Sequence, residues 1–397
     1  MARQQSIVPA NKDVLQWARN QRGLTIDQAA ERLKISNADL IQIEAGQRVP
    51  TSKVFDKMIA VYKQPESVLL LAQPPAVSPL PEDYRTAEGK RTPLSPETKL
   101  AIREAQELQA YVSELLADDP DLIKEFVLPS TSRNDDPETV AAQERARIGV
   151  SLETQLQWQP GDASFNKWRA WLEEKGVLIL LKKMPWEDCR GFSLLNAHLL
   201  PTIVVNAEDT GAARIFTLFH EYAHLTLRNA GICKLTPNSS DTERWCNVFA
   251  SAFLLPAAEL KAYVYSINER AGSQYDWPVS LIYRLAVHFR VSRSVMALRL
   301  QKLGLAVPDY YEKHRGELNN FDHKAKPATP PRIVRRPGWK QKRKLREVGS
   351  TAASIIVNAW KGDLANPTEA ADILNLSLDE LHGLREQTEV QHVRNTS

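Results

Sequence analysis

Phe216-Thr217-Leu218-Phe219-His220-Glu221-Tyr222-Ala223-His224 is the stretch on which the reading of this chain turns. It spells H-E-x-x-H within an apolar helical pattern. Residues four apart share one face of a helix, so His220 and His224 can offer two imidazoles to one metal ion. Glu221, beside them, is placed to take a proton from a water that such an ion activates. Ile215, Phe216, Leu218, Phe219, Ala223, Leu225 and Leu227 cover most of the helix circumference, which predicts a buried helix. Two histidines and a glutamate are costly to bury without partners, and a metal would partner all three. Upstream, Thr202-Ile203-Val204-Val205 is a β-branched strand candidate. Turn residues follow from Asn206 to Gly211.

A site of this kind needs a third protein ligand and an open position. Glu243 opens a second amphipathic helix that carries Val248, Phe249, Ala252, Phe253 and Leu255 on one face; Asp241 is a rival by proximity. The two segments, F-T-x-x-H-E-x-x-H and E-x-x-x-N-x-F-A-x-x-x-L-x-P (Glu243, Asn247, Phe249, Ala250, Leu254, Pro256), resemble the ImmA/IrrE family of metallopeptidases over about residues 165–305. The resemblance implies a zincin-like α+β domain. Its Zn2+ would be held by His220, His224 and Glu243, with Glu221 as the catalytic base and a narrow protein substrate. Cys246 departs from it, standing where the family has alanine. Helix 165–175 running into Gly176–Leu181, with Gly191–Leu194 and 201–205, predicts a small, largely antiparallel sheet whose edge, in zincins, holds substrate backbone. Oxyanion donors stay open among Tyr263, Tyr265, Tyr283, Tyr310 and Tyr311.

The chain has 397 residues, enough for two to four domains, and 43% hydrophobic content supports real cores. Cys189, Cys233 and Cys246 form no even set and read as reduced thiols in a cytoplasmic protein. The first residues lack a signal-peptide core, and no apolar run is long enough for a membrane span. A net charge of +3 excludes nucleic-acid binding by bulk charge alone, so any basic footprint must be local.

Residues 12–72 predict a small helical domain. Val14, Leu15, Trp17 and Ala18 pattern a first helix. Thr25 caps a second with Ile26, Ala29, Ala30 and Leu33. Ser36 caps a third with Leu40, Ile41 and Ile43 inward, and Pro50-Thr51 opens a fourth. Gly23-Leu24-Thr25-Ile26-Asp27-Gln28-Ala29-Ala30, Ile35-Ser36 and Ile43-Glu44-Ala45-Gly46-Gln47-Arg48-Val49-Pro50-Thr51 resemble the XRE, lambda-repressor-like family. That resemblance implies a third helix in the DNA major groove, reading through Asn37, Ala38, Asp39 and Gln42, with Arg48 on phosphate. Asn and Gln suit adenine edges, whereas Asp39 is repulsive to phosphate. Arg32, Lys34 and Lys53 flank the helix. A homodimer on two half-sites follows from the family, and a partner-docking head is the competing reading.

The chain therefore reads as multi-domain and mainly α. The expected division is a helix-turn-helix domain at 1–72, a Pro-rich linker at 73–94, a helical bridge at 95–160, the zincin-like domain at 161–310, a basic Pro-rich linker at 311–346 and a helical module at 347–397. Within this, Val279–Leu305 could form a second helix-turn-helix with Arg293 and Arg299 exposed, or a structural pair. The expected function is a DNA-binding regulator that cleaves a repressor or toxin–antitoxin component. The alternative is a non-proteolytic antitoxin that binds a cognate toxin, a PIN-like ribonuclease by resemblance, and represses its own operon.

Overall fold

The computed structural model describes residues 6–76, 93–118, 128–196, 198–233, 241–268, 276–323 and 338–395. The Pro-rich run from 77 to 92 and the basic run from 324 to 337 lie outside the described residues. The described residues form two compact units: 6–76, 93–107 and 183–188 in one, the remainder in the other.

The first unit is built on α1 (Lys12–Gln21), α2 (Ile26–Leu33), α3 (Asn37–Glu44), α4 (Ser52–Tyr62), α5 (Glu66–Leu69) and the first half of α6 (Pro96–Asp118). Each of the first four helices starts on a side-chain cap: Asn11, Thr25, Ser36 and Thr51 accept from a backbone N–H in the first turn. Thr25 and Gln28 close a reciprocal capping box. Leu15, Ala18, Ala29, Leu33, Leu40, Phe55, Met58 and Tyr62 form the core. Arg19 spans it, donating to both Glu44 oxygens at 2.7 and 2.9 Å and to the Leu24 carbonyl. Ile41 does not join this core. It is 53% exposed, on the outer face of α3.

The second unit contains α7 (Pro137–Ile148), α8 (Leu152–Gln157), α9 (Asp162–Glu174), β1 (Leu178–Lys182), β2 (Gly191–Leu194), β3 (Thr202–Asn206), α10 (Gly211–Thr226), β4 (Ile232–Cys233), α11 (Asp241–Leu254), α12 (Ala257–Asn268), α13 (Val279–Phe289), α14 (Arg293–Lys302), α15 (Tyr310–His323), α16 (Trp339–Val348), α17 (Ser350–Lys361), α18 (Pro367–Ile373) and α19 (Leu378–Asn395). The sheet order is β1-β3-β2-β4. Its β2–β3 and β2–β4 pairings are antiparallel, but β1 and β3 run parallel, Leu178 opposite Thr202. The sheet is thus largely antiparallel, as expected, and becomes mixed through the one parallel pairing, β1–β3. The chain leaves β1 and returns through β2 before β3 is laid down, so β3 can align with β1. Leu178–Lys182 and Thr202–Asn206 are buried throughout, as strands covered on both faces must be.

An aromatic cluster holds α10 to its neighbours. Trp168 of α9 meets Phe219 edge-on at 5.0 Å, and Phe219 stacks on Phe253 of α11 at 4.1 Å. Each such pair contributes about 0.5–1.5 kcal/mol beyond area burial. Arg299 of α14 contradicts the expectation of exposure. It is 1% exposed, donating to the Leu255 carbonyl at 2.9 Å and pairing through both terminal nitrogens with Glu138 of α7. Helix α14 packs on α15.

The C-terminal helices join the same unit. Glu347 receives Lys182 at 2.6 Å and Lys344 at 3.1 Å, and Arg169 donates to the Arg346 carbonyl at 2.6 Å and to Ile179 on β1. Helix α16 therefore lies along the β1 edge. Among the described residues no single helix is long and apolar enough to cross a membrane.

Candidate metal centre

Helix α10 begins at Thr210, whose side chain accepts from the Ala213 N–H at 3.3 Å. It is buried along nearly its whole length. Its 3.6-residue period turns His220 and His224 toward α11, where Glu243 stands in the first turn. His220 Nε2 lies 3.1 Å from one Glu243 oxygen, His224 Nε2 lies 3.2 Å from the other, and the two Nε2 atoms are 3.2 Å apart. All three side chains are buried. Among the described residues this is a group of metal-ligating type.

The donors fit a divalent ion on chemical grounds. His224 Nδ1 lies 3.0 Å from the Asn229 carbonyl. A carbonyl only accepts, so Nδ1 carries the proton and, in the neutral ring, Nε2 presents a lone pair. That lone pair faces a second imidazole nitrogen and a carboxylate, which repel it unless a cation lies between. Ligands held ~2.0–2.1 Å from one tetrahedral ion stand ~3.3 Å apart, close to the spacing seen. Burial pushes the His220 imidazole down, keeping it a neutral ligand. Burial alone would raise Glu243, yet the two imidazoles hold its carboxyl well below the usual range. Asp241, the rival ligand, is turned out to Arg244 with its side chain 78% exposed.

Glu221 sits outside this triangle. Its carboxyl is buried and neither oxygen has a hydrogen bond of good geometry. Burial pushes it up to about 8, opposed by the nearby His224 and Ser193. Strand β2 forms the wall beside it. A Cβ built on Gly191 would come 2.6 Å from Thr217 Cγ2, 2.8 Å from the Val204 carbonyl and 3.4 Å from Glu221 Cγ. Only glycine lets the strand come this close. Ser193, two residues on, shares its face. The hydroxyls of Ser193 and Thr217 are buried and, like the Glu221 oxygens, make no hydrogen bond of good geometry. Ser193 was missed in the sequence, although Gly191-Phe192-Ser193-Leu194 alternates small and large side chains in the way that signals it.

Two further contacts fix the helix. Tyr222 donates to Glu144 of α7 at 2.9 Å, and Arg147 reaches both residues. Cys246 is buried as a thiol near His224, with burial pushing it up. Of the five candidate oxyanion tyrosines, Tyr310 donates to the Trp277 carbonyl at 2.6 Å, Tyr263 stacks on His288, Tyr283 lies under Arg293, Tyr265 is exposed and Tyr311 is buried.

In the first unit, the expected DNA contacts lie together on and after α3. Asn37, Ala38 and Gln42 are exposed. Asn37 donates to Asp27, and Arg48 is paired with Asp39. The repulsive carboxylate is thus neutralised within the chain.

Residues 172–301 match the IrrE N-terminal-like domain family, and residues 13–71 match a helix-turn-helix domain family. No curated protein and no solved structure matches the chain. The chain joins a helix-turn-helix domain to an ImmA/IrrE-type, peptidase-like domain.

Proposed function

We propose that this chain is a cytoplasmic DNA-binding regulator whose second unit is a zinc-dependent endopeptidase acting on a specific regulatory protein, a repressor or toxin–antitoxin component. The observation that carries the reading is the convergence of His220 Nε2, His224 Nε2 and the Glu243 carboxylate, with the buried Glu221 carboxyl beside them. A zinc ion on these three ligands supplies Lewis acidity, polarising a carbonyl and making water more acidic. Glu221 accepts the proton of the attacking water at a carboxylate oxygen. As the carbon–nitrogen bond breaks, the same oxygen returns that proton to the leaving amine. His224 is held in the ligating tautomer by the Asn229 carbonyl. Gly191 lets β2 close the wall against Glu221 and keeps bulk water from it. Because α16 lies along the β1 edge, a substrate strand would add on the β4 side.

A second reading has its own support. His220, His224 and Glu221 are fully buried, and a closed centre suits a structural ion in a binding protein, an antitoxin that neutralises a cognate toxin and represses its operon. Paired capture from cells that carry the chain, with tagged wild type and Glu221→Gln, separates the two. A partner held intact by the variant but clipped by wild type supports the peptidase. The same intact partner on both, with equal metal content, overturns it in favour of the binding regulator.

A further inference from the structure

Helix α3 carries an outer face on which the expected contacts Ala38 and Gln42 are joined by two residues not expected there, Ile41 and Ala45. Ala38, Ile41, Gln42 and Ala45 are exposed and follow i, i+3, i+4, i+7, a single stripe. Ile41 is among the most exposed large apolar residues of the described chain. The charged groups beside the stripe are occupied: Asp39 by Arg48, Glu44 by Arg19. Asn37 is tied to Asp27. What remains free to meet a base edge is one amide and three apolar side chains. Guanine is read by Arg or Lys and cytosine by a carboxylate, and the stripe offers neither. Gln suits adenine, and Ala and Ile suit the thymine 5-methyl group. The surroundings favour an anionic duplex over a protein. Lys34 caps the end of α2 just before α3, and Lys53 stands in the first turn of α4; both are exposed, with no ion pair among the described residues.

We propose that Ile41 and Ala38 read thymine methyl groups in the major groove while Gln42 reads adenine, so that α3 specifies a run of A·T pairs. This rests on the first unit being a DNA reader. Ile41 becomes a specificity-determining residue.

The test begins with selection of binding sites from a random duplex pool by the full chain. The enriched site is then resynthesised with uracil in place of thymine, one position at a time. Removing one contacted methyl should weaken wild type about three- to five-fold, the order set by one buried methyl group. At the position Ile41 contacts, Ile41→Ala should lose most of that factor on the thymine duplex and distinguish thymine from uracil less than wild type, while the positions Ala38 contacts keep their discrimination. Leu70→Ala, an equally exposed apolar site on α5's C-cap, should discriminate like wild type and controls for general surface effects. Equal binding of thymine and uracil duplexes by wild type, or undiminished discrimination in Ile41→Ala, overturns the proposal. An enriched site lacking A·T pairs overturns it while leaving the DNA reader intact. No enrichment at all overturns both.

Discussion

The metal centre and the reading helix treat charge in opposite ways. On α10 and α11 four ionisable side chains are withdrawn from water, and three converge without enough protons to satisfy one another. On α3 every ionisable group is already paired within the chain, Asp39 with Arg48 at the surface and Glu44 with Arg19 beneath it, leaving an apolar stripe outward. Burial makes a side chain expensive to keep unless it has a ligand, so its role shows in the structure and its loss is severe. Exposure makes a side chain cheap to keep, so its role shows only when the partner arrives.

That contrast sets the expected order of substitution effects. The largest belongs to Glu243→Ala and His224→Ala. Each should cut bound metal at least about ten-fold, measured by elemental analysis of the purified chain. Full occupancy in Glu243→Ala would break the assignment of that ligand. Next is Arg299→Ala. It strands the Leu255 carbonyl and the partly exposed Glu138, and should cost about 3 kcal/mol by urea unfolding. Gly191→Ala should cost about 1–3 kcal/mol because its Cβ meets Thr217 and the Val204 carbonyl. It should retain metal, since it touches no ligand. Glu347 is smaller again. Lys182 and Lys344 hold its carboxyl below the usual value against burial. A depressed folded value stabilises above the ordinary carboxylate range and is lost as pH falls through the folded value. Wild type should therefore shed roughly 1 kcal/mol below about pH 4.5, and Glu347→Gln should show none of that dependence. The smallest is Arg48→Ala, at the surface, expected within about 0.5 kcal/mol of wild type in stability. Its DNA affinity should drop, because Asp39 is then unopposed. A large stability loss there would erase the distinction between the two regions.

The sequence made the centre legible because its chemistry is local. His220, Glu221 and His224 lie on one helix, and their spacing alone puts two ligands on one face. The caps at Thr25, Ser36 and Thr51 were legible for the same reason. What escaped is what tertiary cover decides. Lys34-Ile35-Ser36 and Arg290-Val291-Ser292 make the same turn: a left-handed residue, then an apolar one, then a serine cap. Asn375-Leu376-Ser377 repeats it before α19, with Asn375 left-handed and Ser377 accepting from Glu380. Local pattern does not say which second helix is covered. α14 is packed so that Arg299, a residue whose charge argued for the surface, is buried against the Leu255 carbonyl and Glu138 of α7. The described first unit leaves the outer face of α3 open, so Ile41 is exposed although its hydrophobicity argued for the core. The parallel β1–β3 pairing was hidden likewise, since strand order depends on the path between strands.

The central claim is that His220, His224 and Glu243 hold one metal ion. X-ray absorption at the edge of the metal bound to purified wild-type chain tests it most directly. About one zinc per chain is expected, with two imidazole nitrogens and carboxylate oxygen at ~2.0–2.1 Å. A sulfur scatterer at ~2.3 Å, which would bring in a thiolate such as Cys246, or a chain that binds no metal, would contradict it.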